Sequence, residues 1–148
     1  MRHKVGGYKL QRNVSARRAL LRSLVTSVIE EERVVTTVTK AKAAKPLVDR
    51  MITLAKQDSL HARRQAASFL MTPASVKKLF DKLGTRFGQR NGGYSRVVRL
   101  GWRKGDGAEQ VMLELVGSEL VKRAAERAKR REERLKKIQE GREEEEES

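Results

Sequence analysis

Apolar residues recur at helical spacing in four stretches of the first part of the chain. The periodicity predicts helices over residues 15–32, 40–57, 59–70 and 72–83. Ser15 and Thr39 are the expected N-caps of the first two helices, and Gly84 is expected to end the fourth. Pro46 either kinks the second helix or marks its true start, because proline lacks the amide hydrogen that an interior helical position donates.

Three further stretches have the composition or alternation of strands. Residues 33–37 are rich in β-branched side chains, and residues 94–100 and 110–116 alternate between apolar and polar. A turn at residues 101–107 joins the last two, which predicts a hairpin with Arg103 and Lys104 at its tip. The glycine-rich stretch before the hairpin, residues 85–93, is predicted to be a basic loop.

The charge of the chain divides it near Gly117. The 148 residues hold 34 Lys and Arg against 19 Asp and Glu, for a net charge of +15. All of this excess lies in residues 1–117, because the remaining 31 residues hold ten of each sign. The expected organisation is therefore a basic arm over residues 1–14, a globular domain over 15–117 and a charged helical extension over 118–148. The five consecutive glutamates near the end of that extension are expected to be disordered, or alternatively to dock on a basic partner or RNA.

The first 22 residues carry seven Lys and Arg and no carboxylate. Such a segment repels itself, so we expect it to be ordered by an external polyanion. Arg17 and Arg18 lie at the start of the first predicted helix, and three glutamates lie at its end, which is the reverse of what the helix dipole favours. A phosphate bound at the helix start would account for this order. The alternative is that these charges are simply solvated.

The sequence offers little for catalysis or metal binding. It has no cysteine, and its two histidines, His3 and His61, have no partner at a ligand spacing. Neither of the glycine-rich phosphate-binding motifs is present, and no apolar run is long enough to span a membrane. We therefore expect no enzyme, no metal and no cofactor. A cytoplasmic location follows by default, since no secretory signal is evident.

Lysine and arginine are spread over several predicted elements rather than over one recognition helix. This distribution favours the broad surface of a folded RNA over a single DNA groove. With 4% aromatic residues, the chain is not expected to be a base-stacking platform. The candidate RNA-binding residues are Arg2, His3, Lys4, Lys9, Arg12, Arg17, Arg18, Arg22, Arg63, Arg64, Arg90, Arg96, Arg103 and Lys104. A DNA-binding architectural protein is the rival class, whereas an RNA-modifying enzyme would need a cofactor pocket for which no residues are found.

Short motifs along residues 1–117 resemble one known family. They include Met1-Arg2-His3, Lys40-Ala41-Lys42, Ile52-Thr53-Leu54-Ala55-Lys56, Gly92-Gly93-Tyr94 and Gly105-Asp106, in unbroken order. On these motifs the chain is similar to the bacterial large-subunit ribosomal protein seventeen family. It departs from the family pattern at Ala16, Ser23 and Ser95, and residues 118–148 lie beyond the usual family end.

The resemblance implies an α+β fold in which four or so helices pack on a small mixed sheet. It implies a structural constituent of the ribosome that helps to assemble and stabilise the large subunit and so serves translation. The implied partners are large-subunit ribosomal RNA, on the solvent side near the peptide exit region, and neighbouring ribosomal proteins. No membrane and no small-molecule substrate are expected.

Overall fold

The computed structural model describes residues 7–117 together with Arg131 and Arg134. The elements in chain order are α1 (Val14–Glu31), β1 (Arg33–Thr37), α2 (Val38–Gln57), α3 (Leu60–Phe69), α4 (Pro73–Lys78), a π-helical segment (Leu79–Gly84), β2 (Ser95–Trp102) and β3 (Glu109–Leu115). The strands form a three-stranded sheet in the order β1–β3–β2. The predicted α+β class is confirmed, with the difference that the sheet is antiparallel throughout rather than mixed.

One face of this sheet packs on the helices and the other faces solvent. Val34, Leu113 and Val97 lie side by side in the register and contribute to the core. Val111, Leu113 and Leu115 are completely buried, which confirms the alternation predicted for the last strand. In β2 the register shifts between Arg99 and Gly101, and this bulge lets the strand continue to Trp102, two residues past its predicted end.

The starts of the first two helices differ from prediction. Asn13, not Ser15, caps α1, because the Asn13 side chain accepts a hydrogen bond from the amide of Ala16 at 2.8 Å. Thr37, not Thr39, is the N-cap residue of α2. Strand β1 runs into α2 without a loop, so the pairing of β1 with β3 determines where the helix begins.

Pro46 lies inside α2, and the helix starts eight residues before it. The idea that the helix begins at Pro46 is therefore wrong. Pro46 is exposed, as is Lys42, whose carbonyl loses its amide partner, and exposure of this face lowers the cost of an interior proline. The buried stripe of α2 contains Val48, Met51, Ile52 and Ala55 as predicted, together with Ala41 and Ala44, and the predicted Leu47 is only partly buried.

Gly84 does not end the fourth helix. After α4 the chain continues through the π-helical segment and stays helical to Arg86. Gly84 is buried against α2, where a Cβ would lie 3.0 Å from the carbonyl oxygen of Ala55. The glycine therefore permits close packing of two helices. The predicted loop is correspondingly shorter, and Phe87 within it is buried edge-on against Tyr94, with ring centroids 5.4 Å apart.

The core joins all helices to the sheet. Its largest fully buried side chains are Val25, Val28, Ile29, Val48, Ile52, Leu79, Leu83, Val111, Leu113 and Leu115. The predicted apolar residues Leu21, Leu24, Phe69 and Val76 pack against this core while remaining partly exposed. The compact unit ends at Val116. Of the charged helix and acidic end predicted for residues 118–148, only Arg131 and Arg134 are described, and both are helical and exposed. The other residues of this extension lie outside the described residues, as do Arg2, His3 and Lys4.

Glu32 connects the end of α1 to three other elements. It adopts a left-handed conformation with φ of 62°, and its amide donates to the carbonyl of Val28 at 2.9 Å. Its own carbonyl accepts from the amide of Leu115 at 2.8 Å. Its carboxylate lies 2.8 Å from the Arg86 guanidinium and 3.5 Å from the Lys78 ammonium. Of the three glutamates at this helix end, Glu32 thus has cationic partners in the protein, which offsets its unfavourable position on the dipole.

We expect Glu32→Gln to destabilise the fold by about 2–4 kcal/mol, because it leaves two half-buried cations without their shared carboxylate. Glu31→Gln is the matched control, since Glu31 is the adjacent exposed carboxylate of α1. Urea unfolding at neutral pH measures both variants. Equal midpoints for the two variants would show that the ion-pair cluster does not stabilise the fold.

Candidate nucleic-acid interface

The start of α1 carries two arginines and no acid. Asn13 is extended, and its side chain also accepts from the Ser15 hydroxyl at 3.1 Å. The first turn of the helix contains no acidic residue. Arg17 is half-buried and Arg18 is exposed, and neither has a carboxylate partner among the described residues. This helix end therefore presents free positive charge where the helix dipole is also positive.

These arginines line a cleft together with apolar side chains. The cleft has a volume of about 250 Å³ and is lined by Val14, Arg17, Arg18, Leu21, Leu47 and Phe69. Three helices build it, because Leu47 comes from α2 and Phe69 from the end of α3. Guanidinium groups bind phosphate in a bidentate fashion and also stack on planar groups. The cleft accordingly has the chemistry to bind a phosphate through its arginines and an apolar or planar group against its apolar side chains.

The segment before α1 forms a tight turn. Leu10 and Gln11 have positive φ angles of 55° and 50°, and the amide of Arg12 donates to the carbonyl of Lys9 at 3.2 Å. The Arg12 guanidinium also donates to the carbonyl of Leu10 at 3.0 Å. Lys9 and Arg12 are both exposed, so the turn directs two cations into solvent close to the start of α1.

Two of the predicted RNA-binding arginines already have partners in the fold. The Nε of Arg22 donates to the carbonyl of Phe69 at 2.6 Å and so satisfies a carbonyl at the end of α3. Arg63 pairs with Asp58 and lies over the ring of Phe80, 4.6 Å from its centroid. Arg64, the next residue, is exposed and has no ion-pair partner within the described part of the chain.

The hairpin cations are also mostly paired. Arg96 pairs with Glu114, a carboxylate that is 4% exposed, and Arg103 pairs with Asp106 across the turn. The hydrogen bond from Arg103 is the main cause that lowers the pKa of Asp106 to about 2. Lys104 is exposed and forms no ion pair with any described residue. Nearby in the chain, the Nε of the exposed Arg90 donates to the carbonyl of Gly92 at 3.1 Å.

Several features of the site were not expected from the sequence. The cap Asn13 and the cleft wall formed by Leu47 and Phe69 were not anticipated. Asn followed by a helical pattern is itself a cap signal, and it was available beside Ser15. The convergence of Leu47 and Phe69 depends on how three helices pack, which local spacing does not contain. Of the family departures, Ala16 and Ser23 are exposed, whereas Ser95 is buried and donates to Asp49 through both its amide and its hydroxyl.

The described residues contain no group of three or more His, Cys, Asp or Glu that could hold a metal ion. Over the same residues, no helix combines the length and the apolar composition needed to cross a membrane. Fold and site together define a class of protein: a small, strongly basic α+β domain that presents exposed cations at one helix start, along a neighbouring turn and on a hairpin.

The particular family follows from comparison with known proteins. The family model described as Ribosomal protein L17 matches residues 20–116, and the chain belongs to this family. Three relatives bear the name large ribosomal subunit protein bL17. The protein from Solibacter usitatus is 75% identical over 148 residues, covering 100% of this chain and 99% of its own length. The protein from Koribacter versatilis is 57% identical, covering 94% and 90%, and that from Clostridium acetobutylicum is 53% identical, covering 74% and 97%.

The family predicted from the sequence motifs is thereby confirmed. The match also agrees with the boundary of the compact unit, since both end at residue 116. The relative from Solibacter usitatus, unlike the family model, is similar over the whole of the present chain, including residues 118–148. At least one relative therefore has an extension of similar sequence.

The ion pair at the hairpin tip gives a direct test of its geometry. The pKa of Asp106 lies at about 2, against an ordinary value of 3.8, so the pair is intact above pH 4 and is lost as the pH falls through 2. In Arg103→Ala the pKa of Asp106 is expected to rise toward its ordinary value, although the hydrogen bond from the amide of Ala108 still lowers it. Carbon-detected NMR titration of the Asp106 carboxyl measures both midpoints, with Asp58 as an internal reference. An unchanged midpoint in Arg103→Ala would contradict the pairing.

Proposed function

We propose that this protein is a structural constituent of the large ribosomal subunit that binds large-subunit ribosomal RNA and helps to assemble and stabilise the particle. The observation that carries the proposal is the unequal pairing of charge along α1. At its end, Glu30 accepts from Thr72, and Glu32 pairs with Lys78 and Arg86. At its start, Arg17 and Arg18 have no such partner among the described residues. Within the described residues, the start of α1 is therefore the end of the helix where positive charge lacks an anionic partner.

An RNA phosphate would supply the missing negative charge and would also accept hydrogen bonds from the start of the helix. Asn13 engages the amide of Ala16 through its side chain and that of Arg17 through its carbonyl. The amides of Val14 and Ser15 have no acceptor in the described part of the chain. These two N–H groups and the two guanidinium groups are suitable donors for one phosphate. The neighbouring Lys9 and Arg12 would neutralise adjacent phosphates along the same backbone.

The remaining candidate residues differ in what they are able to contribute. Arg64 and Lys104 are exposed cations without described partners and are proposed as further phosphate contacts. Arg90, Arg96 and Arg103 would reach RNA through the N–H groups that their protein acceptors leave free. Arg22 and Arg63 chiefly hold the fold together, so their removal should affect stability as well as affinity. Arg2, His3 and Lys4 are proposed as RNA contacts from their sequence alone.

The family and the relatives support the wider part of the proposal. Each relative is named as a protein of the large ribosomal subunit, so neighbouring subunit proteins and ribosomal RNA are the proposed partners, in the cytoplasm. No catalytic role is proposed, because ribosomal proteins of this kind are structural and the candidate site consists of phosphate-binding groups. Contacts to phosphate give affinity without base selection, so positioning on the RNA would depend on the shape of its folded surface.

The start of α1 is tested by the double substitution Arg17→Ala and Arg18→Ala. It should weaken binding to large-subunit RNA about 10- to 100-fold at moderate salt and reduce the slope of log affinity against log salt by about 1–2, because both cations proposed to contact the phosphate are lost. Lys77→Ala with Lys82→Ala is the matched control, since it removes the same charge from exposed lysines outside the candidate set. Filter binding over a salt series measures both. An equal loss of affinity in the two double variants would show that only the net charge of the protein matters. It would contradict a defined phosphate site at the start of α1.

The basic arm is tested by deleting residues 1–12. The deletion should reduce incorporation into large subunits, because the arm supplies four of the proposed cations and Asn13 remains to cap α1. Sucrose-gradient sedimentation of cell lysates measures the fraction of protein that travels with the large subunit. Unchanged incorporation and an unchanged RNA footprint would exclude a role for the arm. Absence of the full-length protein from large-subunit fractions, with recovery on DNA, would instead favour the rival architectural class.

A further inference from the structure

Trp102 is the only tryptophan of the chain, and it is largely exposed. Its side chain is 74% accessible, which is the largest value among the exposed large apolar residues of the described chain. Aromatic side chains of this size contribute most to stability and binding when they are covered. The fold gains little from Trp102 in this position, so a role toward a binding partner accounts for it better than a role in the core.

The surrounding hairpin holds Trp102 in a fixed place. It is the last residue of β2 and pairs with Glu109 in the register, directly after the bulge at Arg99 and Gly101. Gly101 has a φ of 124°, which an L side chain rarely adopts, and the bulge changes the direction of the residues that follow. Beyond Trp102, the amide of Arg103 donates to the carbonyl of Ala108 at 2.9 Å and closes the turn. The backbone at Trp102 is therefore ordered before binding, so that only the side-chain torsions lose freedom when the ring is covered.

On the side of the turn this ring is followed by cations, whereas the exposed apolar residue Leu100 precedes it on the strand. Arg103 and Lys104 follow it directly, and Arg99 lies on the same strand, 3.1 Å from the carboxylate of Glu109. Arg99 thereby neutralises the acid that lies opposite Trp102. Lys104 has no ion-pair partner among the described residues, so the tip keeps a positive charge. Tryptophan and arginine also occur together at protein-binding hot spots. The net positive charge of this tip, in a strongly basic chain, favours a nucleobase with its phosphates.

We propose that Trp102 stacks on one unpaired base of the RNA, while Lys104 and the free N–H groups of Arg103 contact the flanking phosphates. This inference rests on the proposed function and adds a base contact to a surface otherwise described by its charges. The low aromatic content of the chain argues against an extended stacking platform but not against one stacked base. Recognition of unpaired bases by single aromatic side chains is a general mode of RNA binding.

The single tryptophan makes the test direct in the full-length protein. Binding to protein-free large-subunit RNA should quench Trp102 fluorescence, because a stacked base lies against the indole. Trp102→Ala should weaken the affinity about 10-fold with an unchanged salt slope, and Trp102→Phe should restore most of it, since stacking rather than charge is changed. Leu100→Ala is the matched control, because Leu100 is a neighbouring apolar residue that is 52% exposed. It should bind as the unsubstituted protein does.

Chemical probing of the RNA distinguishes a base from other partners. Trp102→Ala should make one protected base reactive and leave the backbone protections near α1 unchanged. Binding without quenching and without a newly reactive base would overturn the stacking inference while leaving the proposed function intact. A Trp102 signal that appears only when other subunit proteins are added would assign the ring to a protein contact and also overturn it. Failure of the full-length protein to bind the RNA at all would instead contradict the proposed function.

Discussion

Much of the remaining structure depends on the ion pairs that the Glu32 carboxylate forms with Lys78 and Arg86. Through its backbone and side chain, Glu32 joins the end of α1 to β3, to Lys78 at the end of α4 and to Arg86 beyond the π-helical segment. The pairing is partly buried, so its charges need one another more than exposed charges would. By fixing one end of α1, the cluster also fixes the direction in which the other end points. The arginines at the start of α1 therefore owe their position to an ion-pair cluster at the opposite end of the helix.

The distribution of paired and unpaired charges separates the cations that build the fold from those available to a partner. Three arginines have partners within the protein. Arg22 donates to a carbonyl at the end of α3, Arg63 pairs with Asp58 over the ring of Phe80, and Arg86 pairs with Glu32. Exposed ion pairs such as that of Arg103 contribute little to stability, and their guanidinium groups remain accessible. The count of Lys and Arg thus overstates the area of a binding surface. On the proposed function, the pairing pattern favours the start of α1 as the strongest part of that surface.

Local sequence patterns predicted most elements, because helix and strand periodicities are properties of neighbouring residues. The three strands and the four helices all exist close to their predicted positions. The errors fall where a distant contact decides the outcome. Gly84 was predicted to end a helix because glycine is typical of helix ends. Its actual contact with Ala55 exists only once α2 has packed against it, and the local sequence does not contain that packing. The α2 start at Val38 is set by the pairing of β1 with β3, and the arginine at position 22 is committed to a carbonyl 47 residues away.

The same limit explains why the sequence described the binding surface by charge and not by shape. Cations can be counted along a chain, whereas the cleft beside Arg17 appears only when Leu47 and Phe69 converge, and the exposure of Trp102 only when the hairpin and its bulge are built. On the proposed function, the two kinds of feature have different consequences. Phosphate contacts by free arginines and lysines provide affinity at any position along an RNA, so they do not define a register. A cleft and an aromatic ring on an ordered hairpin each accept an RNA group at one place only. On this proposal, the register of the protein on the RNA depends on the cleft and on Trp102, two features that become visible only in the folded structure.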